Sequence, residues 1–288
     1  IRFLNAMKAS NRQLLVSAYD LFYASDSDKQ EIKDQMTLAR QDGVIVLMDS
    51  GNYESYWKES RQTWRQSYFH QALKEFGSSI AFSFDEQMPP ENFNEHVRLI
   101  FDRYSADQSI AGECEIIPIV HSGPELLPKL CATVAEKTGV SILAVPERRL
   151  GDGIFERVET LIKIREALNT TERYIGLHLL GTGNPVSISI YSAYGADTFD
   201  GLEWCQTVVD HETGALFHFS QADFFTKQTS WGTSDFPFQM RVLAHNLEFY
   251  TDWMDRLRLH IIEGQGKAFC RINFPSIIYA MCAEKLGW

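Results

Sequence analysis

Three acidic residues each close an apolar, β-like run. Val44-Ile45-Val46-Leu47-Met48 leads into Asp49-Ser50-Gly51-Asn52-Tyr53, Ile80-Ala81-Phe82-Ser83-Phe84 into Asp85-Glu86, and Gly195-Ala196-Asp197-Thr198-Phe199 into Asp200-Gly201. An aspartate at the C-terminal end of a buried strand stands at the rim of a parallel sheet or barrel, where α/β folds assemble their active sites. Several carboxylates on one rim suit chemistry on a small polar group. One can carry a proton while another forms a covalent bond. Asp and Ser are also good helix N-caps, so any one of these residues alone reads equally well as a cap. The three together favour chemistry.

Such residues need alternating strands and helices to hold them. Strand-like runs fall at 2–4, 14–18, 44–48, 80–84, 116–120, 141–145, 174–179 and 196–199. Helix-like segments fall at about 29–40, 61–75, 92–104, 125–137, 155–167 and 186–194. Eight strands alternating with helices, with no Pro/Gly/Ser linker, predict an α/β fold: a single (β/α)8 TIM barrel over about residues 1–205. An open doubly wound sheet is the alternative. An irregular C-terminal extension and a long terminal helix are expected over 206–288, with a strand at 215–219. The helix, 239–262, carries Leu243, Leu247, Tyr250, Met254, Leu257 and Ile261 at alternating spacings of four and three. That spacing makes one apolar face, and Gly264 stops the helix.

A chain of 288 residues, 44% of them hydrophobic, can bury a large core. Its formal net charge of −11 provides no basic field for phosphates, so any nucleic-acid contact needs a local patch. The five cysteines, Cys114, Cys131, Cys205, Cys270 and Cys282, are scattered and form no CxxC. They suit reduced thiols in a cytoplasmic protein better than a disulfide framework or a thiolate metal site. No apolar run approaches the roughly 18 residues that span a bilayer, and no signal peptide is visible, so no membrane association is expected.

Six segments, in order across about 14–264, resemble motifs of the tRNA-guanine transglycosylase superfamily, the base-exchange enzymes of queuosine and archaeosine biosynthesis. Leu47-Met48-Asp49-Ser50-Gly51-Asn52-Tyr53 is similar to TDSGG(F/Y)Q, and Phe84-Asp85-Glu86-Gln87-Met88-Pro89 to FDEC-T-P. Ile142-Leu143-Ala144-Val145-Pro146-Glu147 resembles GLAVGE, and Leu179-Leu180-Gly181-Thr182-Gly183-Asn184-Pro185 resembles LMGVGTP. Gly195 to Asp200 looks like GVDMFD, and His245-Asn246-Leu247-Glu248-Phe249-Tyr250 like HNL-x-(F/Y)-Y.

The resemblance implies an enzyme that exchanges guanine for a 7-deazaguanine, such as preQ0, in a nucleic acid. Exchange at C1′ passes through an oxocarbenium-like centre and retains configuration when a carboxylate forms a covalent glycosyl-enzyme. Asp200 matches the nucleophile and Asp49 the general acid/base. Asp85 would accept hydrogen bonds from a guanine-like edge, and Tyr53 and Leu180, with Gly181 beside it, would sandwich the base. Ser50 would sit next to the base, the backbone around Ile142, Leu143 and Ala144 would line the pocket, and Glu147 would orient that backbone.

The departures are as informative. His121 stands where the family has a glutamine for the base carbonyl; it can still donate, or it caps the next helix. Ser141-Ile142 replaces a glycine pair, which narrows the pocket, and Pro146 replaces the last glycine. Gly201-Leu202-Glu203-Trp204-Cys205 lacks the Pro-Thr-Arg signature that engages the anticodon loop. His245 survives, but no cysteine lies between Cys205 and Cys270, so neither structural zinc nor another cofactor is expected. The segment before the first motif is short, which implies a reduced N-terminal β-layer. The expected acceptor is therefore a nucleic acid other than the usual tRNA, plausibly DNA, with a homodimer or an operon-encoded protein partner left open. Two other readings stay open. One is a deazapurine-binding or deazapurine-processing protein of a defence or modification operon, acting on a free base or base-tagged partner. The other is a plain glycosidase or nucleosidase.

Overall fold

Short apolar runs become strands by burying side chains against neighbouring helices, along nearly the whole length of the strand Ile142–Pro146 and on part of each strand elsewhere. The computed structural model describes residues 13–53 and 64–288. The strand expected at 2–4 and the start of the helix expected at 61–75 lie outside them. The chain divides into two compact units: Ile1–Arg149 with Glu166–Leu177, and Leu150–Arg165 with His178–Trp288.

In the first unit β1 (Gln13–Ser17), β2 (Ile45–Asp49), β3 (Ile80–Phe82) and β4 (Glu115–Ile117) form a parallel sheet in that order. Its register sets Ser17 beside Asp49, Met48 beside Ala81, and Ala81 beside Ile116. A parallel bridge between Ile119 and Ala144 continues the pattern to β5 (Ile142–Pro146). The helices are α1 (Ala18–Tyr23), α2 (Asp26–Gln41), α3 (Gln66–Phe76), α4 (Phe93–Gln108) and α5 (Leu127–Thr138). Local chemistry sets their ends. Ser25 accepts from Asp28 N–H, Asn92 accepts from Asn94 and Glu95 N–H, and α5 stops at left-handed Gly139. Leu14, Val46, Met48 and Ala81 from the strands pack with Met36 and Ala39 of α2 and Phe69, Leu73 and Phe76 of α3. Each large side chain removed from water there contributes about 1.5–3 kcal/mol.

In the second unit the end of β6 (Gly176–Leu180) pairs in parallel with β7 (Thr198–Phe199), His178 beside Thr198 and Leu179 beside Phe199. Helix α6 spans Ile154–Leu168, and α7 (Pro185–Ala193) is capped by Asn184. After the short α8 (Glu203–Gln206), β8 (Thr207–Val209) and β9 (Leu216–His218) form an antiparallel pair. The helices α9 (Phe238–Ile262), α10 (Gly266–Asn273) and α11 (Ser276–Leu286) follow.

The protein is thus α/β with parallel sheets. A closed (β/α)8 barrel is not shown among the described residues, because the sheets are small and separate. The physical reason lies in strand length. β3 and β4 keep three ladder residues each and β7 two, fewer than their apolar runs promise. Beyond β3 and β4, Phe84 N–H turns to the Asp107 carboxylate, while Ser83 N–H still reaches Ile117 O and Pro118 O still accepts from Ala144 N–H. The strand after β7, β8, joins a hairpin instead of extending a parallel ladder. No helix among the described residues is long and apolar enough to cross a membrane.

The long helix forms where expected, and Gly264, at φ +70, ends it. Its buried face differs from the expected stripe, since it includes His245, Asn246, Phe249 and Trp253, with Tyr250, Met254 and Ile261 only half-buried. The two polar side chains are buried because both are saturated. Asn246 accepts from Val209 N–H at 3.0 Å and donates to Trp204 O at 2.8 Å and Thr207 O at 2.7 Å. His245 Nε2 donates to Val209 O at 2.8 Å while Nδ1 meets Thr229 Oγ1 at 3.2 Å. Both staple β8 to the helix.

Burial, and then the neighbouring His211, hold the His245 pKa below its ordinary value of 6.5. The unfolded chain therefore binds a proton there that the native chain refuses, and stability is lost as pH falls below about 6.5. The buried His96 of the first unit acts in the same direction. Urea unfolding between pH 8 and 5 should show this decline, and His245→Gln should flatten part of it. Asn246→Ala should cost about 3 kcal/mol at neutral pH, because three backbone groups lose their partner.

Candidate active site

In the first unit, candidate residues follow successive strand ends. Asp49 is the last residue of β2, Asp85 lies three residues beyond β3, His121 two beyond the Ile119 bridge, and Glu147 directly after β5. Gly51 shapes the first turn: its N–H donates to Asp49 Oδ2 at 2.9 Å, and its φ is +78. A Cβ there would lie 2.5 Å from Tyr19 N, so only glycine fits. Asp49 thus organises its own turn while remaining half-buried.

Asp85 is the centre of this unit's cluster. Its side chain is only 4% exposed, a costly position for a carboxylate without donors. Ser50 Oγ donates to Oδ1 at 3.3 Å, and His121 Nε2 and Gln87 Nε2 each approach Oδ2 at 2.5 Å. Asn52 Nδ2 holds the Asp85 carbonyl at 2.8 Å, and the buried Trp64 indole holds the Ser50 carbonyl at 3.1 Å. His121 therefore faces Asp85 and does not cap α5, whose N-cap, Leu126, has no side-chain cap. Its Nδ1 is buried without a hydrogen-bond partner, beside a cavity of about 10 Å³ also lined by His96 and Arg103. That is roughly the room one water needs.

A second buried carboxylate, absent from the sequence reading, holds the turn that carries Asp85. Asp107, fully buried near the end of α4, accepts from Ser83 Oγ at 2.7 Å and Phe84 N–H at 2.8 Å. Its other oxygen meets Gln66 Nε2 at 2.6 Å and His70 Nε2 at 2.8 Å. Nothing in the local sequence marks Asp107, since an aspartate near a helix end normally faces water.

The remaining candidates of this unit are placed as follows. Tyr53 is 44% exposed, with the Arg148 guanidinium 5.1 Å above its ring. Leu143 and Ala144 are fully buried and Ile142 is half-buried. The Ala144 backbone is engaged by its neighbours, N–H to Pro118 O at 3.0 Å and C=O from Val120 N–H at 2.8 Å. Glu147 opens a 3-10 turn with Arg148 and Arg149.

In the second unit Asp200 follows β7 and keeps 21% of its side chain exposed. Gly181 N–H donates to its Oδ1 at 2.9 Å, and His178 Nε2 meets the same oxygen at 3.2 Å. The Thr198 hydroxyl, 2.9 Å from His178 Nδ1, sets the ring so that Nε2–H faces the carboxylate. His178 was legible in principle: it stands two residues before Leu180, on the same face of a strand. Leu180 is half-buried. Gly183 and Gly201 lack the Cβ atoms that would collide with Glu203, whose carboxylate occupies that space. Tyr250 donates to Gly183 O at 2.7 Å, and burial pushes its pKa well up.

No protein-family model matches this chain, and no curated protein matches it. The arrangement itself supplies donor-loaded carboxylates at strand ends, buried at Asp85 and partly exposed at Asp200. Such groups can accept hydrogen bonds from a donor-bearing molecule or take part in acid/base chemistry.

Asp107→Ala should orphan four donors and lower the unfolding free energy by about 3 kcal/mol or more, as measured by urea denaturation. Thermal unfolding of Gly51→Ala should show a loss of about 2 kcal/mol from the left-handed backbone and the Tyr19 clash.

Proposed function

We propose that the chain is a transglycosylase-like pentosyltransferase, built on a (β/α)8-type scaffold and similar to the tRNA-guanine transglycosylases. It exchanges guanine for a preQ0-like 7-deazaguanine in a nucleic acid. The observation that carries this reading is the buried Asp85, tied to Ser50 and His121, one strand over from Asp49. A carboxylate held this way matches the N–H edge of a guanine-like base.

In the proposed reaction Asp200 attacks C1′ of the target nucleotide. The C1′–N bond breaks toward guanine, and Asp49 gives the departing base a proton. The incoming deazaguanine returns a proton to Asp49 and attacks C1′, which frees Asp200 with overall retention. The Gly181 N–H and His178 keep Asp200 oriented. The target base reaches the site by flipping out of its stack. The absence of Pro-Thr-Arg favours DNA over the tRNA anticodon loop. With a net charge of −11, contact with the polymer needs a local basic patch.

A second reading has its own support: the Asp85 cluster is complete within one unit, so a deazapurine-binding protein would need nothing from Asp200. Incubation with labelled guanine or preQ0 and a panel of tRNA, single-stranded and double-stranded DNA separates the two. Label entering one polymer is the expected result. Asp200→Asn should still bind deazaguanine but trap no glycosyl-enzyme, and Asp85→Ala should weaken base binding about tenfold or more. If Asp200→Asn keeps full function in the cell, the enzyme reading fails and the binding protein stands.

A further inference from the structure

Gln87 connects two charged groups through one amide. Its Nε2 donates to Asp85 Oδ2 at 2.5 Å, and its Oε1 accepts from Arg148 NH2 at 2.6 Å. We infer that this carboxamide holds the place of the ligand's edge, and that Arg148 is the specificity-determining residue of the site. The edge it selects is a lactam, a ring N–H beside a ring carbonyl. The inference rests on the reading of Asp85 as a base-binding carboxylate and names the chemistry of the base.

Burial decides which partner yields. Ser50 and His121, the other donors to Asp85, are 1% and 2% exposed and fixed at the ends of strands. Gln87 is half-buried on the turn after β3. Its backbone stays anchored when its side chain leaves, because Arg149 NH2 donates to the Gln87 carbonyl at 2.7 Å. A ligand that displaces the amide inherits its two contacts. An N–H must point at Asp85 and an acceptor at Arg148.

Arg148 is suited to enforce the second requirement. A guanidinium is a donor only and keeps its charge at any working pH, so it accepts a carbonyl and rejects an amino group in the same place. Its guanidinium lies 5.1 Å from the Tyr53 ring centroid, a contact worth about 0.5–1 kcal/mol at an exposed site, which favours that position. Tyr53 then acts by positioning Arg148. Guanine and its 7-deaza relatives carry the lactam edge; 2,6-diaminopurine has an amino group in place of the carbonyl and no hydrogen on the adjoining ring nitrogen, so it mismatches both Arg148 and Asp85.

Equilibrium binding of guanine and 2,6-diaminopurine to the full chain and two variants tests this. The unmodified protein should prefer guanine by about 100-fold, and Arg148→Met, which keeps an apolar stem over Tyr53, should cut that ratio about tenfold. Gln87→Ala should tighten guanine binding severalfold with the ratio unchanged, since it removes a competitor. A ratio unmoved by Arg148→Met, or weaker guanine binding in Gln87→Ala, would overturn the inference while leaving base binding intact. If neither base binds the unmodified protein or Gln87→Ala, the base-binding reading falls, and the inference with it.

Discussion

A carboxylate taken out of water must be given donors, and in the first unit that requirement organises everything around Asp85. Ser50, His121 and Gln87 arrive from three different strand ends or turns to meet its two oxygens. None of them is near another by local geometry alone. Each is delivered by a parallel strand whose register is set by apolar packing, Met48 beside Ala81 and Ala81 beside Ile116. The apolar core thus holds a buried carboxyl group in place. A one-residue slip of any of these strands would turn its side chains to the other face and leave Asp85 unsolvated.

The same constraint recurs one layer behind. Asp107 is buried beneath the turn after β3 and takes a backbone N–H and a hydroxyl from that turn. Two successive residues, Ser83 and Phe84, are fixed by one carboxylate, and the next residue is Asp85. Phe84 N–H therefore has its partner in the Asp107 carboxylate and not along a ladder, while Ser83 N–H still donates to Ile117 O at 2.8 Å.

In the second unit the polar centres divide by role. Asp200 stays partly exposed, with a backbone N–H and His178 on one oxygen. His245 and Asn246 are sealed and saturated, and they hold β8 to the long helix. Although HNL reads as a motif, here its histidine and asparagine serve the architecture.

The sequence by itself determined the alternation of strands and helices. Seven of the eight expected strand runs coincide with β1–β7, and the long helix with its glycine stop lies where its spacing predicts. These features are local: side-chain periodicity, β-branching and caps act over a few residues. It also placed Asp49, Asp85, His121 and Asp200 after strand ends, because apolar runs ending in acidic residues are visible in one dimension. Only the tertiary structure decided which of them share hydrogen bonds. It set Gln87 and Arg148 at the edge of Asp85, buried Asp107 under the β3 turn, and rotated the α9 face to include His245 and Asn246. Apart from the Gln87–Asp85 bond, which spans two residues, those outcomes depend on partners tens of residues away, and a buried polar side chain looks in sequence the same as an exposed one until its donors and acceptors are assembled around it.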